Sequence, residues 1–231
     1  APKPAPKPAQ KPAQKPAPKP LPKKLRNIQN TLKLRYGSFT EELPEQIMAS
    51  SYLTGTEKVL EIGGNIGRNS LIIASIVDNT SFVVMECDTR ISAQLAENRA
   101  LNGKQFHIET SALSKRPLIQ KGWNTIVSNT LLKGYKPVGT IMYEQLMKKY
   151  NIQFDTLVLD CEGAFYYILQ DMPEVLNNIK LIIMENDYHN IDHKNYVDGV
   201  LQAHNFAVIY KKAGGWGPCY DRFFEVWQLQ L

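Results

Sequence analysis

The run Val59-Leu60-Glu61-Ile62-Gly63-Gly64-Asn65-Ile66-Gly67 constrains this chain most. An apolar strand enters a small-residue turn and leaves it into a second apolar segment, 70–77. Glycine lets backbone pass close to a ligand, and Asn65 is among the few other residues that tolerate a left-handed conformation. About 20 residues further on, Phe82-Val83-Val84-Met85-Glu86 is an apolar strand ending in a carboxylate, the place where a carboxylate accepts both hydroxyls of a ribose. The pair points to an adenosine-containing cofactor.

The glycines do not follow the dinucleotide pattern G-x-G-x-x-G, because Asn65 stands where its second glycine belongs. The spacing E-x-G-x-N-x-G from Glu61 through Gly63 to Gly67 resembles instead the first motif of class I S-adenosylmethionine-dependent methyltransferases, in which no pyrophosphate is held.

Hydrophobic residues make up 43% of the 231, enough for one sizeable core. No apolar run is long enough to span a bilayer, and no signal-peptide pattern is present. Cys87, Cys161 and Cys219 are odd in number and widely spaced, which argues against a disulfide framework or zinc site and for a reducing, cytoplasmic compartment. Residues 1–22 are a near-repeat of Pro-Ala-Pro-Lys and Pro-Ala-Gln-Lys that cannot bury a core; 1–24 are expected to be a linker and 25–231 the folded domain. The chain starts without methionine, which suggests the C-terminal piece of a longer polypeptide. Residues 1–26 hold eight basic side chains and no acidic ones, so the remainder carries 19 basic against 22 acidic residues. That mildly acidic domain argues against a phosphate-tracking surface.

Strands are expected at 58–62, 81–86, 106–111, 156–160, 181–185, 206–211 and 222–229, with helices at 41–52, 67–77, 91–102, 163–170 and 194–204. The alternation predicts an α/β fold, a seven-stranded, mostly parallel sheet covered by helices on both faces. The last two strands are joined through 213–218 without a helix, which requires an antiparallel C-terminal hairpin. Such a hairpin is a feature of the Rossmann-like class I methyltransferases.

Further segments carry a family resemblance: 95–103, 110–114, Asp160-Cys161-Glu162-Gly163-Ala164 and 182–186 look like successive motifs of the FkbM-like methyltransferases, which methylate hydroxyls, commonly on sugars. The resemblance covers roughly residues 58–231. Phe165 departs from it where the family has a further Glu, and Glu61 stands where Asp is commoner. The Pro-Ala-Pro-Lys repeat looks like proteins of large chlorella viruses, in which a methyltransferase module sits at the end of a glycan-building protein. That likeness implies tethering to other glycan-building domains and a host-cytoplasm location.

In an open α/β sheet the ligand lies beyond the carboxyl ends of the strands. Glu61, Glu86, Asp160 and Glu185 stand at such ends and are expected to converge. The resemblance implies S-adenosylmethionine as cofactor, with Glu61, Gly63, Gly64, Asn65 and Gly67 beside its methionine part, Glu86 on the ribose, Cys87 next to it, and Ser111 with Ala112 near the adenine. Asp160 borders the same cofactor.

The acceptor that the resemblance implies is a sugar hydroxyl in a glycan, a deoxyhexose such as rhamnose. Two arrangements for it are open. In one, Asp160 or His189 is a general base, with Glu162 in the same motif. In the other, Asp160, Glu185 and Asn186 hold Mg²⁺, a layout similar to the metal set of catechol O-methyltransferase. His193 is expected on the surface, separated from His189 by a helix cap at Asn190. Residues 121–143 and 214–221 are the expected acceptor loops, with Trp123, Trp216 and Tyr220 as stacking platforms. A nucleic-acid partner is not expected, because Asp160-Cys161-Glu162-Gly163 replaces the Asn/Asp-Pro-Pro-Tyr/Phe motif of base-flipping enzymes. A non-catalytic binding module on the same scaffold is the alternative from another class.

Overall fold

Three strands whose residues are all buried, VLEI, FVVM and TLVL, have no polar face to give to solvent, so they belong at the centre of a sheet covered on both sides. A computed structural model of the protein describes residues 20–230, and the expected linker at 1–19 lies outside the described residues. In chain order the elements are α1 (Lys23–Gln29), α2 (Leu43–Tyr52), β1 (Val59–Ile62), α3 (Arg68–Ile73), β2 (Phe82–Met85), α4 (Thr89–Leu101) and β3 (His107–Glu109). Then come β4 (Ala112–Leu113), β5 (Leu118–Lys121), β6 (Asn124–Val127), β7 (Lys136–Val138), β8 (Thr140–Ile141) and α5 (Tyr143–Tyr150). The chain finishes with β9 (Thr156–Leu159), α6 (Phe165–Asp171), β10 (Leu181–Glu185), α7 (Ile191–Ala203), β11 (Phe206–Lys212) and β12 (Phe224–Leu229).

The main sheet has seven strands in the order β11-β12-β10-β9-β1-β2-β3. Pairings β2/β3, β1/β2, β1/β9 and β9/β10 are parallel, while β12 runs antiparallel to both β10 and β11. This is the mostly parallel sheet with the C-terminal hairpin that the sequence predicts. Strand order reverses at β1, flanked by β2 on one side and β9 on the other. A crevice therefore opens beyond the carboxyl ends of β1 and β9.

Local chemistry sets the elements around it. Asp88 caps α4 by accepting from the Arg90 and Ile91 amides, and Asn190 caps α7 by accepting from Asp192. Gly63, at φ 93°, packs so tightly that an added Cβ would lie 1.6 Å from the Asp160 carbonyl oxygen. Only glycine permits this approach, and it is what brings the ends of β1 and β9 together.

Two expectations need correcting. The folded part starts before residue 25: α1 opens at Lys23, Leu25 is fully buried, and the Lys24 ammonium donates to the Leu53 carbonyl at 2.8 Å. The segment 121–143 is not a loop. β5 pairs antiparallel with β6 and β7 in a separate three-stranded sheet inserted between β3 and β9, and the short β4 and β8 pair beneath it.

Candidate active site

The glycine turn spends its own amides. Gly63 and Gly64 both donate to the Met85 carbonyl, Asn65 to the Glu86 carboxylate, Ile66 to the Asn65 side chain and Gly67 to the Gly64 carbonyl. None of these five N–H groups is left to cradle a phosphate, which agrees with the lost dinucleotide pattern. Asn65 sits at φ 47°, left-handed as predicted. Its side-chain amide donates to Glu42 at 3.0 Å, so on the crevice wall Asn65 is tied to the start of α2.

Glu86 leads β2 into the crevice. Its two oxygens accept from the Asn65 amide at 3.0 Å and the Asp88 amide at 2.8 Å. Each carboxylate oxygen accepts two hydrogen bonds, so the capacity to take a pair of hydroxyls remains. Burial raises the Glu86 carboxyl, with those two amides opposing. Cys87, the next residue, has its thiol pushed up to about 11 by burial and by Glu86, and stays neutral.

The crevice has a volume of about 1020 Å³ and is bordered by Gly63, Asn65, Glu86, Cys87, Ser111, Ala112, Asp160, Glu162, Glu185 and His189. These ten sequence candidates thus border one crevice. Gly64 and Glu61 lie one layer deeper, around a small pocket shared with Glu42, Glu45, Asp160 and Glu185. Glu61 is buried and bonded to the Asn69 amide at 3.1 Å; burial pushes its carboxyl up to about 8. Its second oxygen and one oxygen of Glu45 have no partner. At the far end the Ser111 hydroxyl donates to Glu109 at 2.6 Å, and the Ala112 amide donates to the Gly139 carbonyl at 2.8 Å.

Glu42 and Glu45, at the start of α2, were not legible as site residues. They lack a local motif and reach the crevice only because α2 packs across β10. With them, Asp160 and Glu185 form a carboxyl cluster. Burial raises Asp160 well above the usual carboxylate range, and neighbouring Glu42 and Asp187 add to it. Burial, then the Glu45 and Asp160 carboxyls, raise Glu185 in the same way. Asp187 is pushed up to about 7 by burial and by Glu162. Among the described residues, the crevice is bordered by one permanent cation, Arg116, and it is already paired with Asp171 at 2.5 Å.

The three-residue magnesium set is not assembled. Side chains alternate along β10, so Glu185 faces the crevice while Asn186 turns to the other side of the sheet. There its amide donates to the Arg222 carbonyl at 2.6 Å and to Glu225 at 3.0 Å, within a buried network built on Lys194, Asp198 and Glu225. Among the described residues no group of three or more His, Cys, Asp or Glu is placed to hold a metal ion.

Glu162 takes a left-handed conformation at φ 51°, as does Gly163 at 74°, and the Gly163 amide donates to Asp187 at 2.8 Å. This strained corner holds Glu162 at the crevice mouth beside His189. Burial raises the Glu162 carboxyl and the neighbouring His189 opposes it. The His189 ring lies 4.5 Å from Trp216, whereas Tyr220 is exposed outside the crevice. His193 is not a plain surface residue: it stacks on Tyr166 at 3.8 Å. Trp123, 59% exposed, and Tyr167 form part of the crevice wall, while Phe165 is core.

No family model matches the chain, and no curated protein does. Solved structures share the fold. A ribosomal protein L11 methylase from Lactobacillus delbrueckii subsp. bulgaricus is 10% identical, with a TM-score of 0.51 over 85% of this chain and 82% of that one. An O-methyltransferase from Bacillus cereus, solved in complex with SAH, is 14% identical, with a TM-score of 0.50 over 91% and 92%. The B. subtilis m1A22 tRNA methyltransferase TrmK is 12% identical, with a TM-score of 0.51 over 80% and 65%. The architecture is thus the α/β Rossmann-like methyltransferase fold. Those three proteins act on different acceptors, so the fold leaves the acceptor open.

Proposed function

We propose that the protein is an S-adenosylmethionine-dependent O-methyltransferase acting on a sugar hydroxyl of a glycan, a deoxyhexose being the acceptor favoured by the sequence resemblance. The observation that carries this reading is the crevice at the strand-order switch: it is bordered by Glu42, Glu45, Glu86, Asp160, Glu162 and Glu185, with its one permanent cation neutralised. Such a site suits a cationic cofactor and a neutral acceptor, and repels a polyphosphate.

The residues fit the cofactor. Glu86 has acceptor capacity for ribose hydroxyls, and Glu45 and Glu61 keep buried oxygens unpaired that a cationic group would satisfy. When bound, S-adenosylmethionine supplies an electrophilic methyl group. The carboxyls of Asp160 and Glu185 ionise more readily once a positive charge lies beside them. Asp160, at the end of β9, would then accept the hydroxyl proton as oxygen attacks, with His189 on the crevice wall as the other candidate acceptor. The exposed faces of Trp123 and Tyr167 give the sugar a flat apolar wall, and holding it there supplies much of the acceleration by orientation.

Methyl transfer from labelled S-adenosylmethionine to a panel of hexose and 6-deoxyhexose glycosides, with transfer RNA and ribosomal protein as competitors, tests this reading. Label on a glycoside hydroxyl is the expected result; label on RNA or protein alone would replace it.

A further inference from the structure

The three-stranded insert β5-β6-β7 is fastened to the cofactor side of the crevice, although its position in the chain marked it as an acceptor element. Lys136 on β7 pairs with Asp88 at 2.7 Å, and Lys136 lies opposite Gln120 on β5 in the sheet register. Gln120 itself donates through Nε2 to the Cys87 sulfur at 3.7 Å. Two strands of the insert therefore grip the two residues that follow Glu86.

Gln120 is 4% exposed, yet it borders the crevice, and its Oε1 has no hydrogen-bond partner. Buried amides are rarely left half-satisfied, so such an oxygen points to a ligand donor. Two other polar groups at this end already have partners, the Ser111 hydroxyl donating to Glu109 and the Ala112 amide to Gly139. With Nε2 turned to a thiol that burial keeps neutral, Oε1 is the side of the amide left for the crevice.

We propose that Gln120 is a specificity-determining residue that reads the base of the cofactor, its Oε1 accepting a hydrogen bond from the exocyclic amine of adenine. The inference rests on the cofactor reading above. Glu86, Cys87 and Gln120 border the same crevice with Gln120 against Cys87, so the base of a ribose held by Glu86 would come within reach of Gln120. Adenine offers a donor at that edge. The deaminated base, hypoxanthine, offers a carbonyl oxygen, which would leave Oε1 unpaired and facing another acceptor.

The test is calorimetric titration of the full chain with S-adenosylhomocysteine and with its inosine counterpart, for wild type, Gln120→Leu and Glu86→Ala. Wild type is expected to favour the adenosyl ligand by about tenfold or more, on the scale of one buried hydrogen bond plus one acceptor clash. Gln120→Leu should bring the two ligands within about threefold of each other, whereas Glu86→Ala should weaken both and keep their ratio. Thermal unfolding without ligand checks that Gln120→Leu is folded, and Gln120→Met replaces it if it is not. An unchanged ratio in a folded Gln120 variant overturns the assignment while leaving the cofactor reading intact. Wild type that binds neither ligand overturns both.

Discussion

The two sides of the crevice are built on opposite plans. On the side of β1 and β2, every amide of the turn 63–67 is bonded and Glu86 is held by two N–H groups. Toward β9 and β10, the carboxyls of Asp160 and Glu185 crowd against Glu45 from α2 and Glu61 from β1, burial raises those of Glu61, Asp160 and Glu185, and oxygens of Glu45 and Glu61 stay unpaired. One side is finished before any ligand arrives. The other is electrostatically incomplete, and a bound cation would repair it. On the proposed reading, rigidity serves recognition of the ribose, while unmet charge serves the chemistry.

The largest expected effect lies on the incomplete side. Asp160→Asn should lower turnover by roughly two to four orders of magnitude, the usual size of general-base catalysis, while the Kd for S-adenosylhomocysteine moves by less than about threefold. Near-normal turnover would remove Asp160 from the proton path. Because Asn186 turns away from Asp160 and Glu185, chelation with EDTA should leave the rate unchanged; loss restored by Mg²⁺ would reinstate a metal. On the finished side, Glu86→Ala should weaken cofactor binding by about 1.5–3 kcal/mol, roughly ten- to hundredfold, since the group is a charged hydrogen-bond acceptor. Equal affinity by calorimetry would show that the ribose lies elsewhere.

Smaller effects sharpen the contrast. Glu61 titrates near 8 in the folded protein and near 4.5 when unfolded. Only the unfolded chain releases this proton as pH rises from about 4.5, so the group costs stability progressively until pH passes about 8, up to about 1.4 kcal/mol per unit. Wild-type Tm should therefore fall between pH 5 and 8, and Glu61→Gln should fall less. Parallel profiles would mean that Glu61 is not held protonated. Smallest is Lys136→Ala, which removes a half-exposed ion pair worth at most about 1 kcal/mol and should change cofactor affinity by no more than about fivefold.

The same two sides differ in how far the sequence reveals them. β1, the glycine turn, β2 and Glu86 are contiguous signals with fixed spacing, and the main sheet follows from alternation of apolar runs. The insert is hidden because each of its strands has at most two adjacent apolar residues, too few to stand out as a core strand. A signal was there: Leu118-Ile119-Gln120-Lys121 and Asn124-Thr125-Ile126-Val127 flank Gly122-Trp123, with Gly122 at φ 59°, the composition of a two-residue hairpin turn. Strand parity alone also separates Asn186 from Glu185. Glu42, Glu45 and the partners of Gln120 depend on contacts between distant segments, and no local pattern announces them.

The central claim is that this crevice moves a methyl group from S-adenosylmethionine to a sugar hydroxyl. Mass spectrometry and NMR of a 6-deoxyhexose glycoside incubated with the protein and S-adenosylmethionine test it most directly. The account predicts one added O-methyl group, absent with Asp160→Asn. An unmodified glycoside in the presence of methylated RNA or protein would contradict it.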